Sequence, residues 1–222
     1  MMSDFSVQPF ALLSLGLLLG LRHAADPDHV VAVGAIAAHT RRVWPATQLG
    51  IIWGLGHTLT LFTVASGIVL FNWVIPARLG LGLEFCVALA LLGVGVQNIS
   101  EHRHDPGDSG GGGNPRRAFL VGLVHGLAGS AAVALLVVAT VRDPRWACAY
   151  LLVFGAGTLS GMAVITSGLA LPVVIVGQRC EGMNRIIRVA SGGVSIAMGA
   201  WLIYQIGWND GLFLATPHWT PR

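Results

Sequence analysis

The sequence predicts an all-α integral membrane protein whose six transmembrane helices form two inverted three-helix repeats. Three observations support this prediction. First, 54% of the 222 residues are hydrophobic and only 10% are charged, whereas a soluble domain carries about 25% charged residues. Second, the mean hydropathy is +0.71, and six apolar segments are long enough to cross a bilayer. Third, the two halves of the chain resemble each other.

The predicted spans are apolar segments separated by short polar stretches. A hydrocarbon core about 30 Å thick requires about 20 apolar residues of helix. Six segments meet this length: 9–38, 44–71, 79–99, 118–141, 146–176 and 184–206. Residues 100–117 are rich in His and Gly and predict a flexible linker. The chain therefore divides into a first repeat at 1–99, this linker, and a second repeat at 118–222.

Short sequences recur in the two halves at a nearly constant spacing. Gly20–His23 lies about 102 residues before Gly122–His125, and Trp53–His57 lies 101 residues before Phe154–Thr158. Each half has three predicted spans, so the second half must be inserted upside down relative to the first. Inverted repeats place substrate sites near the bilayer midplane, at broken helices on the repeat interface.

The arginines predict an orientation in the membrane. All thirteen basic residues are Arg, with eight flanking one side of the predicted spans and four the other. The positive-inside rule then places the 100–117 linker in the cytoplasm and both termini outside the cell membrane. Loop arginines in this pattern determine topology, so no nucleic-acid partner is predicted. The first nine residues carry Asp4 and no basic residue, so a cleaved signal peptide is not expected.

The first span contains an unusual cluster of ionisable residues: Arg22, His23, Asp26, Asp28 and His29. Each ionisable group at membrane depth costs about 2.5–3.5 kcal/mol on insertion scales. We therefore interpret the cluster as a functional site. Pro27 removes a backbone donor and moves the preceding residue out of the α region. The sequence thus predicts a first helix broken at Asp26-Pro27.

The residue types in this cluster suit a transition-metal ion. His23, Asp28 and His29 supply two imidazoles and one carboxylate, ligands suited to Ni²⁺, Co²⁺, Zn²⁺ or Cu²⁺. Asp26 either caps the second half-helix or orients a ligating imidazole. Two imidazoles and one carboxylate form an incomplete shell, so other spans are expected to contribute.

Three residues on other spans are candidates to complete the metal site. His57 is the best of them, because the repeat places the second span beside the first. His125 occupies the position equivalent to His23, and three roles stay open for it: a ligand, a proton acceptor or a hydrogen-bonded core residue. Glu84, the acid of the third span, either pairs with Arg78 or contacts the substrate.

Two of these stretches resemble a known family. His23–His29 is similar to the His-x4-Asp-His signature of the nickel/cobalt transporter family, and Leu55–Thr58 resembles that family's second motif. The resemblance implies that metal selection and transport involve the residues that match, which are His23, Asp28 and His29 with Asp26 beside them, and His57.

The chain also departs from the pattern of that family. Its members typically have more spans than the six counted here. Their acidic motif in the second half is replaced by His125–Ser130. This replacement is similar to the sequence found in a shorter branch of the family, the urease-accessory membrane proteins.

The predicted function is transport of a divalent metal, Ni²⁺ or Co²⁺, by alternating access. The chain has no Lys and no G-x4-GK[ST] motif, so coupling to nucleotide hydrolysis is not predicted. Uptake driven by the membrane potential or by a proton gradient is the simplest hypothesis, since the potential favours cation entry by about 2.3 kcal/mol per charge per 100 mV. The metal is substrate, and no cofactor is expected. The predicted partners are the ion and the bilayer, and a homo-oligomer stays open.

Two alternatives differ from metal uptake. The first is an exporter of metal or of a small anion, since Arg22 at membrane depth suits an anion. The second is an intramembrane hydrolase, in which Ser130 pairs with His57 or His125, or the His/Asp cluster holds a hydrolytic zinc. A role as a small packing residue explains Ser130 better than a role as a nucleophile. The chain is therefore predicted not to be an enzyme.

Overall fold

The computed structural model describes residues 9–38, 40, 42–71, 76–100, 114–127, 140–141, 143–177 and 181–219. In these residues the regular secondary structure is helical, which confirms the all-α class. The helices are α1 (Pro9–Ala24), α2 (Pro27–Ala37), α3 (Val43–Phe71), α4 (Ala77–Ser100), α5 (Pro115–Gly126), α6 (Pro144–Gly177) and α7 (Glu181–Tyr204). A short π-helical turn, Gln205–Asn209, continues α7.

Four stretches of helix are long and apolar enough to cross a membrane, judged by length and composition: Val43–Gly67, Ala77–Ser100, Pro144–Ile175 and Arg185–Asn209. They coincide with the second, third, fifth and sixth predicted spans. The first predicted span consists of the two shorter apolar helices α1 and α2. Of the fourth, α5 covers the beginning, and most of the remainder lies outside the described residues. The count of six spans therefore stays a prediction.

The predicted break in the first span is confirmed. α1 ends at Ala24 and α2 begins at Pro27. Asp26 between them is extended, with φ −60° and ψ 142°. A proline in the first helical turn costs no hydrogen bond, because that N–H has no intrahelical partner. The local sequence therefore ends one half-helix and starts the next.

Close contacts between helix backbones determine which helices are neighbours. α1 packs along α6, α3 lies against both α5 and α6, and α4 packs along α7. A methyl group on Gly20 would overlap the carbonyl oxygen of Phe154, and one on Gly122 would overlap that of Trp53. Small residues allow this approach, which stabilises helix association in lipid through van der Waals contact.

α2 lies at the centre of the bundle, where it contacts α3, α4, α6 and α7. A buried apolar cluster surrounds it, formed by Ala24, Ala32, Val33, Leu49, Trp53, Leu91, Ala118 and Met162. The buried Asn98 donates a hydrogen bond to the carbonyl oxygen of Ala35 at 3.1 Å. This bond ties the last turn of α2 to α4.

Large apolar side chains cover much of the outside of the described bundle. Leu18, Leu152 and Val164 are each more than 60% exposed, whereas four histidines are buried inside. A soluble protein has the opposite distribution, so the pattern fits a protein whose outer surface contacts lipid.

The linker prediction falls mostly outside the described residues. α4 continues to Ser100, and residues 101–113 are not described. Asn114 caps α5 by accepting a hydrogen bond from the backbone N–H of Arg116 at 3.0 Å. Because α5 begins at Pro115, the helix starts inside the range predicted as linker.

Candidate metal-binding site

All six side chains predicted for the metal site lie together beside the helix break. Five of them come from four helices, and Asp26 lies in the break itself. The six are His23, Asp26, Asp28, His29, His57 and His125. The four imidazoles are buried. His23 lies in the last turn of α1 and His125 in the last turn of α5, while His57 is inside α3. The break thus gathers residues that are up to about a hundred positions apart.

His23 is held between a carboxylate and a second imidazole. Its Nδ1–H donates to Asp26 Oδ2 at 2.9 Å, and its Nε2 lies 3.0 Å from Nε2 of His57. Asp26 makes no side-chain cap on α2. Of its two predicted roles, the structure does not show the cap; it shows Asp26 orienting the ring of His23, with Nε2 of that ring facing His57.

Asp28 joins two imidazoles from different helices. Its Oδ1 accepts a hydrogen bond from Nδ1–H of His29 at 3.0 Å, and its Oδ2 accepts one from Nε2–H of His125 at 2.9 Å. His125 is therefore hydrogen-bonded to a predicted ligand. This contact links α5 to the first turn of α2.

Two ring nitrogens in the cluster are buried without a hydrogen-bond partner among the described residues. They are Nε2 of His29 and Nδ1 of His57. An unsatisfied buried polar atom costs about 1–3 kcal/mol, so such atoms are uncommon outside functional sites. A lone pair on His29 Nε2 is available to a cation.

The donor atoms form two groups of three, and within each group they are close enough to share one ion. The atoms of His23, His29 and His57 all lie within 4.8 Å of one another, as do those of Asp28, His29 and His125. Two metal–nitrogen bonds of about 2.0–2.1 Å at right angles place their nitrogens about 2.9 Å apart. The 3.0 Å between the facing nitrogens of His23 and His57 is close to this value.

Trp53 is a site residue that the sequence analysis did not single out. Its buried ring stacks on His57, with centroids 5.6 Å apart and planes inclined by 15°, and meets His29 edge-on at 5.4 Å. Trp53 lies one turn before His57 on α3, a spacing that puts both on one helix face. That spacing was the signal from which the sequence could have placed Trp53 beside His57. The indole forms a wall that restricts rotation of both imidazoles.

Two further candidates, Glu84 and Arg22, are not part of this cluster. Glu84 accepts a hydrogen bond from the indole N–H of Trp219 at 2.9 Å. Arg22 is exposed on α1, so the guanidinium that suited an anion substrate does not line the cluster. Ser130, the nucleophile of the hydrolase alternative, lies outside the described residues.

Fold and site together define a class: helical membrane proteins with buried ionisable groups at a broken helix. The family model described as NicO, high-affinity nickel-transport protein, matches residues 10–95. The urease accessory protein UreH of Bacillus sp. (strain TB-90) is 33% identical over 221 residues, which cover 93% of this chain and 96% of that protein. No solved structure matches the chain.

The chain belongs to this nickel-transport family, in the branch that includes UreH. Membership confirms the resemblance seen in the two motifs and the prediction of a membrane transporter that is not an enzyme. In such a family the metal ion is the substrate and not a cofactor.

Proposed function

We propose that this protein carries Ni²⁺ or Co²⁺ across the cell membrane, with the His/Asp cluster as its transport site. The observation that carries the proposal is the convergence of four buried imidazoles on the break between α1 and α2. Nε2 of His29 has no partner there within the described part of the chain. Neutral imidazole and carboxylate together suit these ions. A broken helix supplies a binding site that opens when its two halves move apart.

The helix contacts support an inverted repeat. Gly20 on α1 approaches the carbonyl of Phe154 on α6, and Gly122 on α5 approaches the carbonyl of Trp53 on α3. Gly20 and Gly122 are 102 residues apart, and Trp53 and Phe154 are 101 apart. The same contact therefore occurs twice between equivalent residues.

A second pair of contacts is also formed by equivalent residues of the two repeats. Gly56 on α3 approaches the carbonyl of Phe119 on α5, and Gly157 on α6 approaches the carbonyl of Leu17 on α1. Again the two contacts are related by the 101- and 102-residue offsets. A pseudo-two-fold relation between 1–99 and 118–222 accounts for both pairs, and alternating access by movement of one repeat against the other follows from it.

The direction we propose is uptake. With six spans and both termini outside, the 100–117 linker faces the cytoplasm, and an inside-negative potential drives a divalent cation inward. The driving force is about 2.3 kcal/mol per charge per 100 mV. A passive permease of this kind requires no nucleotide-binding domain.

Flux of Ni²⁺ into sealed proteoliposomes, at imposed potentials of either sign, tests this proposal. We expect inward flux in the wild type and at least a tenfold loss in His29→Asn and Asp28→Asn, since indirect metal partners alone are typically worth about 10–100-fold. His218→Asn, which removes an exposed histidine, is the matched control and should transport normally. Normal flux in His29→Asn would reject the site, and flux that runs only outward would favour the exporter.

A further inference from the structure

We infer that the cluster holds two overlapping metal positions that share His29, and that a single ion passes from one to the other. The first position is formed by His23, His29 and His57, and the second by Asp28, His29 and His125. This inference rests on the proposed function, because both positions lie on the proposed transport route.

His29 lies at the centre of the four imidazoles. Its ring centroid is 4.6 Å from that of His23, 4.8 Å from that of His57 and 4.7 Å from that of His125. The rings of His57 and His125 are farther from each other, at 6.1 Å. An ion bound among all four rings would therefore be off-centre, whereas an ion on either side of His29 has a compact set of ligands.

The two nitrogens of His29 face different surroundings. Nδ1 lies 3.0 Å from Oδ1 of Asp28, on the side of the second position. Nε2 is fully buried and has no hydrogen-bond partner among the described residues. Each nitrogen is therefore suited to bind an ion in one position.

Only one position can be filled at a time. A neutral imidazole carries a proton on one nitrogen and a lone pair on the other. With the ion on Nε2, the proton stays on Nδ1 and is donated to Asp28. With the ion on Nδ1, the proton is on Nε2, and a water molecule bound to the ion carries it from one nitrogen to the other. His57 and His125 likewise keep one proton each, on Nδ1, when their Nε2 binds the ion. Each imidazole therefore has one proton in both states, and none is gained or lost overall.

Asp28 changes its role between the two positions. It orients His29 through a hydrogen bond when the ion is in the first position, and it binds the ion directly when the ion is in the second. The first position therefore has three neutral nitrogen ligands, and the second has two nitrogens and an anionic oxygen. Both sets suit Ni²⁺ and Co²⁺.

The ligands also divide between the proposed repeats. His23, His29 and His57 all belong to the first repeat, whereas His125 lies on α5 in the second. Movement of one repeat against the other would leave the first position intact and would complete or dismantle the second. The transfer between positions is thereby coupled to the conformational change.

Co²⁺ binding to the purified full-length protein in detergent distinguishes two positions from one, because the visible spectrum of Co²⁺ reports its ligands. We expect His57→Asn and His125→Asn each to bind one Co²⁺, with different spectra, and His29→Asn and the double variant of His57 and His125 to bind none. His218→Asn is the control and should match the wild type. Retained binding shows that each single variant is folded.

Flux measurements with the same variants complete the test. Both single variants should bind Co²⁺ yet transport at least tenfold more slowly, since the ion cannot pass from one position to the other. The inference is overturned if either single substitution abolishes binding, if both give the same spectrum, or if His125→Asn transports normally. Those outcomes leave the proposed function standing, whereas normal flux in His29→Asn rejects the cluster as the transport site of the proposed function.

Discussion

Asp26 and Asp28 are separated by one residue, yet they act on different partners. Asp26 precedes α2 in extended conformation and contacts His23, which lies on α1. Asp28 is in the first turn of α2, where its two oxygens accept from His29 and His125. Pro27 between them enforces the difference, because it holds the preceding residue outside the helix. We therefore assign Asp26 as a positioning residue and Asp28 as a ligand in the proposal.

Neutralising Asp26 tests this assignment. We expect Asp26→Asn to weaken Co²⁺ binding by about tenfold, the lower end of the range for partners of metal-binding imidazoles. The amide oxygen still accepts a hydrogen bond from His23, but a neutral acceptor holds the ring in place less strongly than a carboxylate does. The matched control is Asp143→Asn: Asp143 caps α6 by accepting from the N–H of Arg145 at 2.8 Å, and Asn caps equally well. Titration of both variants with Co²⁺ measures the difference, and equal affinities would show that Asp26 does not act through His23.

The sequence identified those site residues whose presence in a membrane is energetically costly. His23, Asp28 and His29 stood out because ionisable groups are rare at bilayer depth. Trp53 carried no such signal, since its side chain is uncharged and aromatic residues are ordinary members of apolar helices. The role of His125 stayed open because its partner, Asp28, is 97 residues away, and a single sequence does not show that contact.

At the scale of helices, two Asp-Pro pairs show how tertiary contacts change the role of a local motif. Asp143-Pro144 starts α6 with an ordinary side-chain cap. Asp26-Pro27 starts α2 without one, because its carboxylate points to His23. The sequence predicted the helix start at Asp26-Pro27 from proline geometry, and left open the two roles of Asp26 that only the position of α1 decides.

Removing Pro27 tests whether the break is required for transport. Pro27→Ala restores a backbone donor and removes the restriction on Asp26, so α1 and α2 gain the freedom to join as one helix. The donors of His23 and Asp28 would then separate, and we expect Ni²⁺ flux to fall by about tenfold or more, with no loss of thermal stability.

The matched control for this prediction is Pro144→Ala, which changes a second described Asp-Pro helix start, far from the cluster in sequence. We expect it to transport Ni²⁺ as the wild type does in the same proteoliposome assay. Normal flux in Pro27→Ala would show that the cluster forms without a break, whereas a loss in both variants would indicate a general effect of proline removal.

At the scale of the whole molecule, composition predicted the class of protein but not which helices are neighbours. α1 packs along α6 and α3 along α5, so each half of the chain contributes to the packing of the other. Apolar helices in lipid associate through van der Waals packing of complementary surfaces, because no hydrophobic force drives them together there. Shape complementarity depends on three-dimensional contacts such as that of Gly20 with Phe154, which spacing alone does not encode.

An odd number of spans in each half is the premise on which the inverted repeat depends. If three spans separate the N-terminal segment from the 100–117 linker, these two regions lie on opposite sides of the membrane. The arginine distribution further predicts that the linker is cytoplasmic. Labelling from one side of an intact membrane tests separately whether the two regions lie on opposite sides and whether the linker is the cytoplasmic one.

The test uses single cysteines in a background that lacks Cys86, Cys148 and Cys180. In intact cells, a membrane-impermeant maleimide should label Ser3→Cys directly and Ser109→Cys only after lysis, because three spans lie between them. The cysteine-free parent must show no labelling, and Ni²⁺ flux from each variant verifies that it is folded. The opposite pattern would reverse the orientation but keep the odd number of spans, since the two sites would still lie on opposite sides. Labelling of both sites before lysis would place them on one side, which three spans cannot do, and the inverted repeat would then be wrong.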